Sequence, residues 1–200
     1  MVKVEIGGGI LPRKGFINLD YMKHPLVDHS LDLNKDTFPF EDNTVDEIYS
    51  NHCLEHLNPG YNGFLHCIEE MWRISKPDTR WYIRVPYCNS HHTQSNPFHT
   101  NNIFNEYTFY YFSDTPKFQI NSNVGIRKGS CFEYDLKATL IIDKIEFEFF
   151  DNWSFLKNSS LEEIEVITHN NINVVNNIAY HLRVEKPDFW TKEYIRNATL

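Results

Sequence analysis

The sequence predicts an α/β protein organised around a mostly parallel sheet with a shortened first helix. Three observations carry that expectation. Short apolar runs keep ending in acids or turn residues, and turns or helical stretches restart at intervals of roughly 10 to 30 residues, the rhythm of parallel strands joined by crossovers. Residues 63–75 space Phe64, Leu65, Ile68, Met71 and Trp72 as one face of an amphipathic helix. A polar, irregular stretch, YCNSHHTQSNPFHTNNIF (87–104), directly follows a strand-like run, on the side of an open α/β sheet where ligand-facing loops gather.

In chain order, residues 2–6 read as a short buried strand, followed by Gly7, Gly8 and Gly9. GFINLD (15–20) is a second strand ending in Asp20, VDHSLDL (27–33) a third with Asp32 near its end, and VDEIYS (45–50) a fourth. The helix over 63–75 is broken by KPDT (76–79), and RWYIRVP (80–86) is the fifth strand. NEYTFYYF (105–112) suits a helix of two turns, and 138–150 alternates as a strand. SLEEIEVI (160–167) suits a helix with Ser160 capping toward Glu163, and 172–186 makes a final strand or strand pair. Only nine residues separate Ile6 from Phe16, where a full crossover needs about a dozen. The first helix is therefore a single turn or missing, and a ligand need not carry a phosphate on its N-terminus.

No internal repeat or second domain is legible. Residues 1–200 read as one domain, with 87–135 as a substrate-side loop or insertion region; 114–135 carry no readable pattern. The length, with 41% apolar residues, supports one well-cored domain. A net charge of -8 disfavours a nonspecific nucleic-acid surface, and Arg80, Arg84, Arg127 and Lys128 are too scattered to form a nucleic-acid groove. No apolar stretch reaches membrane-spanning length, so no membrane partner is expected. Cys53, Cys67, Cys88 and Cys131 include no C-x-x-C pair and no signal peptide precedes them, so free thiols and a cytoplasmic location are expected. The N-x-S/T triplets at Asn152, Asn158 and Asn197 then read as chance matches.

His52, Glu55 and His56 match H-x-x-E-H, the pattern of an inverted zinc-peptidase helix. Asn58-Pro59-Gly60 breaks the segment within about one turn, and a third ligand, for instance Glu133, would have to come from far away. The simpler reading packs Leu54 and Leu57 inward, with His and Glu at the rim.

A different resemblance covers more of the chain. VEIGGG, GFINLD, LDLNKDTFPFEDNTVDEIYSNHCLEHL, EEMWRISKP and WYIRVP, in that order and spacing, resemble the compact class I S-adenosylmethionine-dependent methyltransferases over residues 2–86, and more weakly at 96–112 and 177–187. The resemblance implies a Rossmann-like, mostly parallel seven-stranded sheet with the last strand antiparallel. It implies S-adenosylmethionine as cofactor and S-adenosylhomocysteine as product. Carried over residue by residue, Glu5, Gly7, Gly8 and Gly9 look like the loop holding the methionine part, Asp20 like the ribose acceptor, and Asp32 with Leu33 like the adenine edge. Asn51 and His52 look like the other side of the pocket, and Glu55 and His56 like turn and helix-start residues. KPDT stands where relatives carry K-P-G-G, and the glycine loop lacks a third spaced glycine. The chain also starts at strand one, which leaves the acceptor's cap to 87–135, to a partner subunit in a homodimer, or to nothing.

The chemistry agrees with that mapping. Glycines let backbone approach a ligand, a carboxylate accepts from vicinal hydroxyls, and acidic walls suit a sulfonium cation. A base helps if the acceptor is a hydroxyl or amine. Asn96-Pro97-Phe98-His99 matches an Asp/Asn-Pro-x-His element of the relatives, which makes His99 the first catalytic candidate and His92 the second. Cys88, His91, His92 and His99 are metal-capable residue types, but their spacing is irregular and no metal is expected. The aromatic run from Tyr107 to Phe112 reads as core before acceptor pocket. The expected function is methyl transfer to a small-molecule or glycan-like acceptor. The alternatives are a non-catalytic methyltransferase-like subunit and a zinc metallopeptidase.

Overall fold

The structure is a computed structural model, and it describes residues 1–99, 102–113 and 136–186. Its centre is a seven-stranded sheet in the order β3-β2-β1-β4-β5-β7-β6. The strands are β1 (Lys3–Ile6), β2 (Ile17–Asp20), β3 (His29–Ser30), β4 (Val45–Asn51), β5 (Ser75–Pro86), β6 (Thr139–Phe149) and β7 (Val175–Glu185). Strands β1 to β5 pair in parallel, while β7 runs antiparallel to both neighbours, β5 and β6. The sequence-based fold class therefore holds, including the antiparallel seventh strand. Residues 172–186 supply one strand, not a pair, because β7 is inserted between β5 and β6 and satisfies both its edges.

The connection between β1 and β2 contains only turns, so the first helix is missing. Three left-handed glycines, at Gly7, Gly9 and Gly15, bend the chain back in its place. Helix α1 (Phe64–Ile74) joins β4 to β5 and buries Phe64, Cys67, Ile68, Met71 and Ile74, a stripe at helical spacing. It stops where Ser75 donates its hydroxyl to the Met71 carbonyl at 2.7 Å and accepts from Trp81 Nε1 at 2.9 Å. Strand β5 then starts at Ser75 rather than Arg80. Val45 faces Ser75 but Glu47 faces Arg80, so KPDT leaves the ladder as a bulge, with Asp78 in the left-handed region and Thr79 donating to the Val45 carbonyl. Helix α2 (His91–Ser95) is short, and α3 (Leu161–Asn170) carries the expected capping box between Ser160 and Glu163. Residues 105–112 form a 3-10 turn, Thr108–Phe112, rather than an α-helix; Phe109, Tyr110 and Phe112 are buried, so the aromatic run is core.

Strand register sorts the side chains onto two unlike faces. Val4, Ile6, Ile48, Trp81, Ile83, Tyr180 and Leu182 share the inner face and are buried. On the other face Glu47, Tyr49, Tyr82, Arg84, His181 and Arg183 are half-exposed. Tyr49 and Tyr82 stack at 5.1 Å and His181 meets the edge of Tyr82 at 5.1 Å. Around them Lys3 pairs with Glu47, Arg84 with Glu148, and His181 with Glu146. Each such exposed cross-strand pair contributes about 0.2–1 kcal/mol. The loop that replaces the first helix folds over the near end of this face, where the Arg13 guanidinium lies 4.3 Å from the Tyr49 ring centre. Among the described residues no helix is long and apolar enough to cross a membrane.

Candidate functional site

A cavity of about 980 Å³ opens at the C-terminal ends of β1, β2 and β4. That size lies at the upper end of the range of small-molecule and cofactor sites. Its walls include Gly7, Asp20, Asp32, Leu33, His52 and His56. Asp36 and Lys23 also line it, so three carboxylates face it with one lysine.

The glycine loop makes the floor. Gly7 has φ +75°, and a Cβ there would stand 2.3 Å from Cys53 Sγ. Gly8 allows an equally close approach, since its Cβ would lie 2.5 Å from Asn18 Oδ1. Asn18 is fully buried and pins the loop: its Oδ1 accepts from Gly8 N–H at 3.0 Å, and its Nδ2 donates to the Gly9 and Leu26 carbonyls. Asp20 accepts from Gly9 N–H at 2.9 Å through one oxygen and from Met22 N–H at 2.9 Å through the other. Each oxygen keeps a second lone pair. Glu5 lies beneath the loop and accepts from Arg13 N–H; burial pushes its carboxyl above the ordinary value, opposed by that hydrogen bond and by the Arg13 charge.

At the far wall Asp32 accepts from the backbone and side-chain N–H groups of Asn34 and pairs with Lys35 at 3.3 Å. These donors hold its carboxyl below the usual range. Asn51 is placed elsewhere: it shares the polar sheet face with Arg84, from which its Oδ1 accepts at 3.1 Å, and it does not line the cavity. The next residue, His52, turns back into the cavity through a left-handed φ of 53°.

His52 has a fixed tautomer. Arg84 Nη1 stands 2.5 Å from its Nε2 and can only donate, so Nε2 accepts and Nδ1 carries the proton, 3.1 Å from Glu55 Oε1. The segment after it is a three-residue 3-10 turn, Leu54–His56. His52 and His56 therefore do not share a helix face, and His52 is committed to Arg84 and Glu55. The zinc-peptidase alternative loses its ligand helix on this geometry; Glu133 lies outside the described residues.

Of the two base candidates, neither lines the cavity. His99 is buried at 8% exposure, with Nδ1 3.0 Å from the His92 carbonyl and Nε2 3.0 Å from Asn96 Nδ2. His92 is exposed and lies against His91 and Phe150. The cavity reaches this loop through Pro97 and Phe98. Sequence reasoning missed Asn18 and Arg84. An asparagine two positions before the strand-ending acid, alternating with it along one side of a strand, was the readable signal for the first.

No family model and no characterised protein matches the sequence. Solved structures do match in fold. A SAM-dependent methyltransferase from Archaeoglobus fulgidus superposes with a TM-score of 0.55 at 17% identity, covering 92% of this chain and 85% of that one. Geranyl diphosphate methyltransferase in complex with SAM gives 0.52 at 14% identity over 91% of this chain and 77% of that one. Phosphoethanolamine N-methyltransferase 2 of Haemonchus contortus, in complex with S-adenosyl-L-methionine, gives 0.50 at 13% identity, over 92% of this chain and 48% of that longer protein. The chain thus has the Rossmann-like class I methyltransferase fold.

Proposed function

We propose that this protein binds S-adenosylmethionine in the cavity at the strand ends and transfers its methyl group to a small-molecule or sugar-like acceptor. The observation that carries the reading is the conjunction of a glycine floor at Gly7 with three carboxylates, Asp20, Asp32 and Asp36, in one cavity. An acidic wall favours a cation over a phosphate. The Asp20 oxygens, already oriented by two backbone N–H groups, have lone pairs left for vicinal hydroxyls. Asp32 and Leu33 give a polar edge and an apolar surface suited to a base. The bound cofactor supplies the activated methyl group. What this chain supplies is alignment and exclusion of water, from which much of such a rate gain comes. Neither His99 nor His92 lines the cavity, so the proposal does not rest on either as a base.

Titration calorimetry with S-adenosylmethionine and S-adenosylhomocysteine tests it. Micromolar binding at one site per chain, weakened about tenfold or more by Asp20→Ala, is the expected result. A protein that binds neither would carry the fold without the reaction.

A further inference from the structure

One cluster beside the cavity is not used by the methyl-transfer reading. Glu55, His56 and His99 bring one oxygen and two ring nitrogens within 4.8 Å of one another. The two imidazole rings meet edge to face at 4.7 Å. Glu55 is 1% exposed, and among the described residues its Oε2 has no hydrogen-bond partner, although Oε1 is held by His52. A buried carboxylate oxygen left without a partner is costly, because it has given up water for nothing.

The histidines are oriented in the way that ligands are. The Nδ1 of His56 lies 3.2 Å from the Phe98 carbonyl, and that of His99 lies 3.0 Å from the His92 carbonyl. Carbonyls only accept, so each Nδ1 carries the proton and each Nε2 carries the lone pair. A backbone carbonyl behind a ring nitrogen is the usual support of a metal-binding imidazole. Asn96 Oδ1 accepts from Phe98 N–H, which aims Asn96 Nδ2 at His99 Nε2; a cation would replace that contact.

From this arrangement we infer that Glu55, His56 and His99 form a binding site for a divalent transition-metal ion of the zinc, cobalt or iron type. Two imidazoles with one carboxylate suit such ions and not magnesium or calcium, which take oxygen ligands. Ligands about 2.1 Å from an ion stand at most about 4.2 Å apart, so groups already within 4.8 Å of one another need only a small inward adjustment to load it. The exposed His56 ring can make that movement. His56 also lines the cavity, so positions on the ion not taken by protein face it. The site pairs the E-H of the H-x-x-E-H string with a histidine from a distant loop, not with His52.

The test uses tag-free protein stripped with a chelator and titrated with Co²⁺ and Zn²⁺, followed by calorimetry and by visible cobalt absorption. One ion per chain is expected, with a cobalt spectrum of low coordination number. His56→Asn, Glu55→Gln and His99→Asn should each weaken binding about 10–100-fold or more, while His91→Gln leaves it unchanged. His56 is exposed, so His56→Asn folds and decides the matter even where a buried substitution does not; circular dichroism establishes which variants fold. Absence of a stoichiometric site, or affinity unchanged in His56→Asn, would overturn the inference. Cobalt binding is read without S-adenosylmethionine, so its failure is distinct from failure of the methyl-transfer reading.

Discussion

Replacing Gly7 by alanine should damage this protein twice over, and the two effects can be separated. The backbone at Gly7 has φ +75°, where an L side chain costs about 1–2 kcal/mol. The new Cβ would also stand 2.3 Å from Cys53 Sγ and 2.5 Å from Cys53 Cβ, inside any allowed contact. Overpacking of that kind costs about 1–3 kcal/mol. The sum is roughly 2–5 kcal/mol, equivalent to a fall in Tm on the order of 5–15 °C for a chain of this size. Gly9→Ala is the control: its φ of +55° is similar, but none of the described residues lies within 4 Å of the added atom, so only the conformational part remains. Urea unfolding followed by tryptophan fluorescence gives both numbers. Adding Cys53→Ala to Gly7→Ala removes the nearer clash and should recover part of the loss as a coupling of about 1 kcal/mol. Gly7→Ala no more harmful than Gly9→Ala, with no coupling to Cys53, would refute the close-approach argument.

Three further outcomes follow from named contacts. Glu70 accepts from Phe38 N–H at 2.7 Å and from Arg73 at 2.8 Å through two nitrogens; burial raises its carboxyl, but these donors outweigh burial and hold it below the ordinary 4.5. Its stabilisation is thus complete above that pH and is lost as pH falls through the lowered value, so Glu70→Gln should cost about 1–3 kcal/mol at pH 7 and flatten the acid limb of a stability–pH curve. Burial first, and Glu106 next, push the Cys88 thiol up to about 11, and burial also raises Cys53 and Cys67. Iodoacetamide at pH 7.5 should therefore label these three slowly in the native protein and fully in urea, as read by peptide mass spectrometry. Ser160→Ala removes the capping box of α3 and should lower stability by about 1 kcal/mol in urea melts, with loss of helix signal confined to that segment's amides in hydrogen exchange.

The parts of the fold that rest on local pattern were legible. The stripe on α1, the Ser160–Glu163 cap and the acid ending β2 all follow from spacing within a few residues. The missing first helix was legible too, because nine residues cannot hold a crossover helix between parallel strands. Features set by register were not. Ser75 opens β5 only because a bulge hides KPDT between two paired positions, and Asn51 faces the polar side of the sheet because it lies opposite Arg84. For the same reason Glu47, Tyr49, Tyr82 and His181 gave no sign that they build one half-exposed ladder from three strands. The Glu55–His56–His99 cluster was out of reach because its third member arrives from a loop after β5. H-x-x-E-H was readable as a string, but the left-handed turn at His52 decides which of its residues face one another.

The central claim is that the glycine-floored acidic cavity holds an adenosyl sulfonium nucleoside. A crystal structure of the protein grown with S-adenosylhomocysteine tests it directly. The bound nucleoside should lie over Gly7 with its ribose hydroxyls on Asp20 and its base against Asp32 and Leu33. A cavity that stays empty at saturating S-adenosylhomocysteine, or density bound at any other place on the chain, would contradict the account.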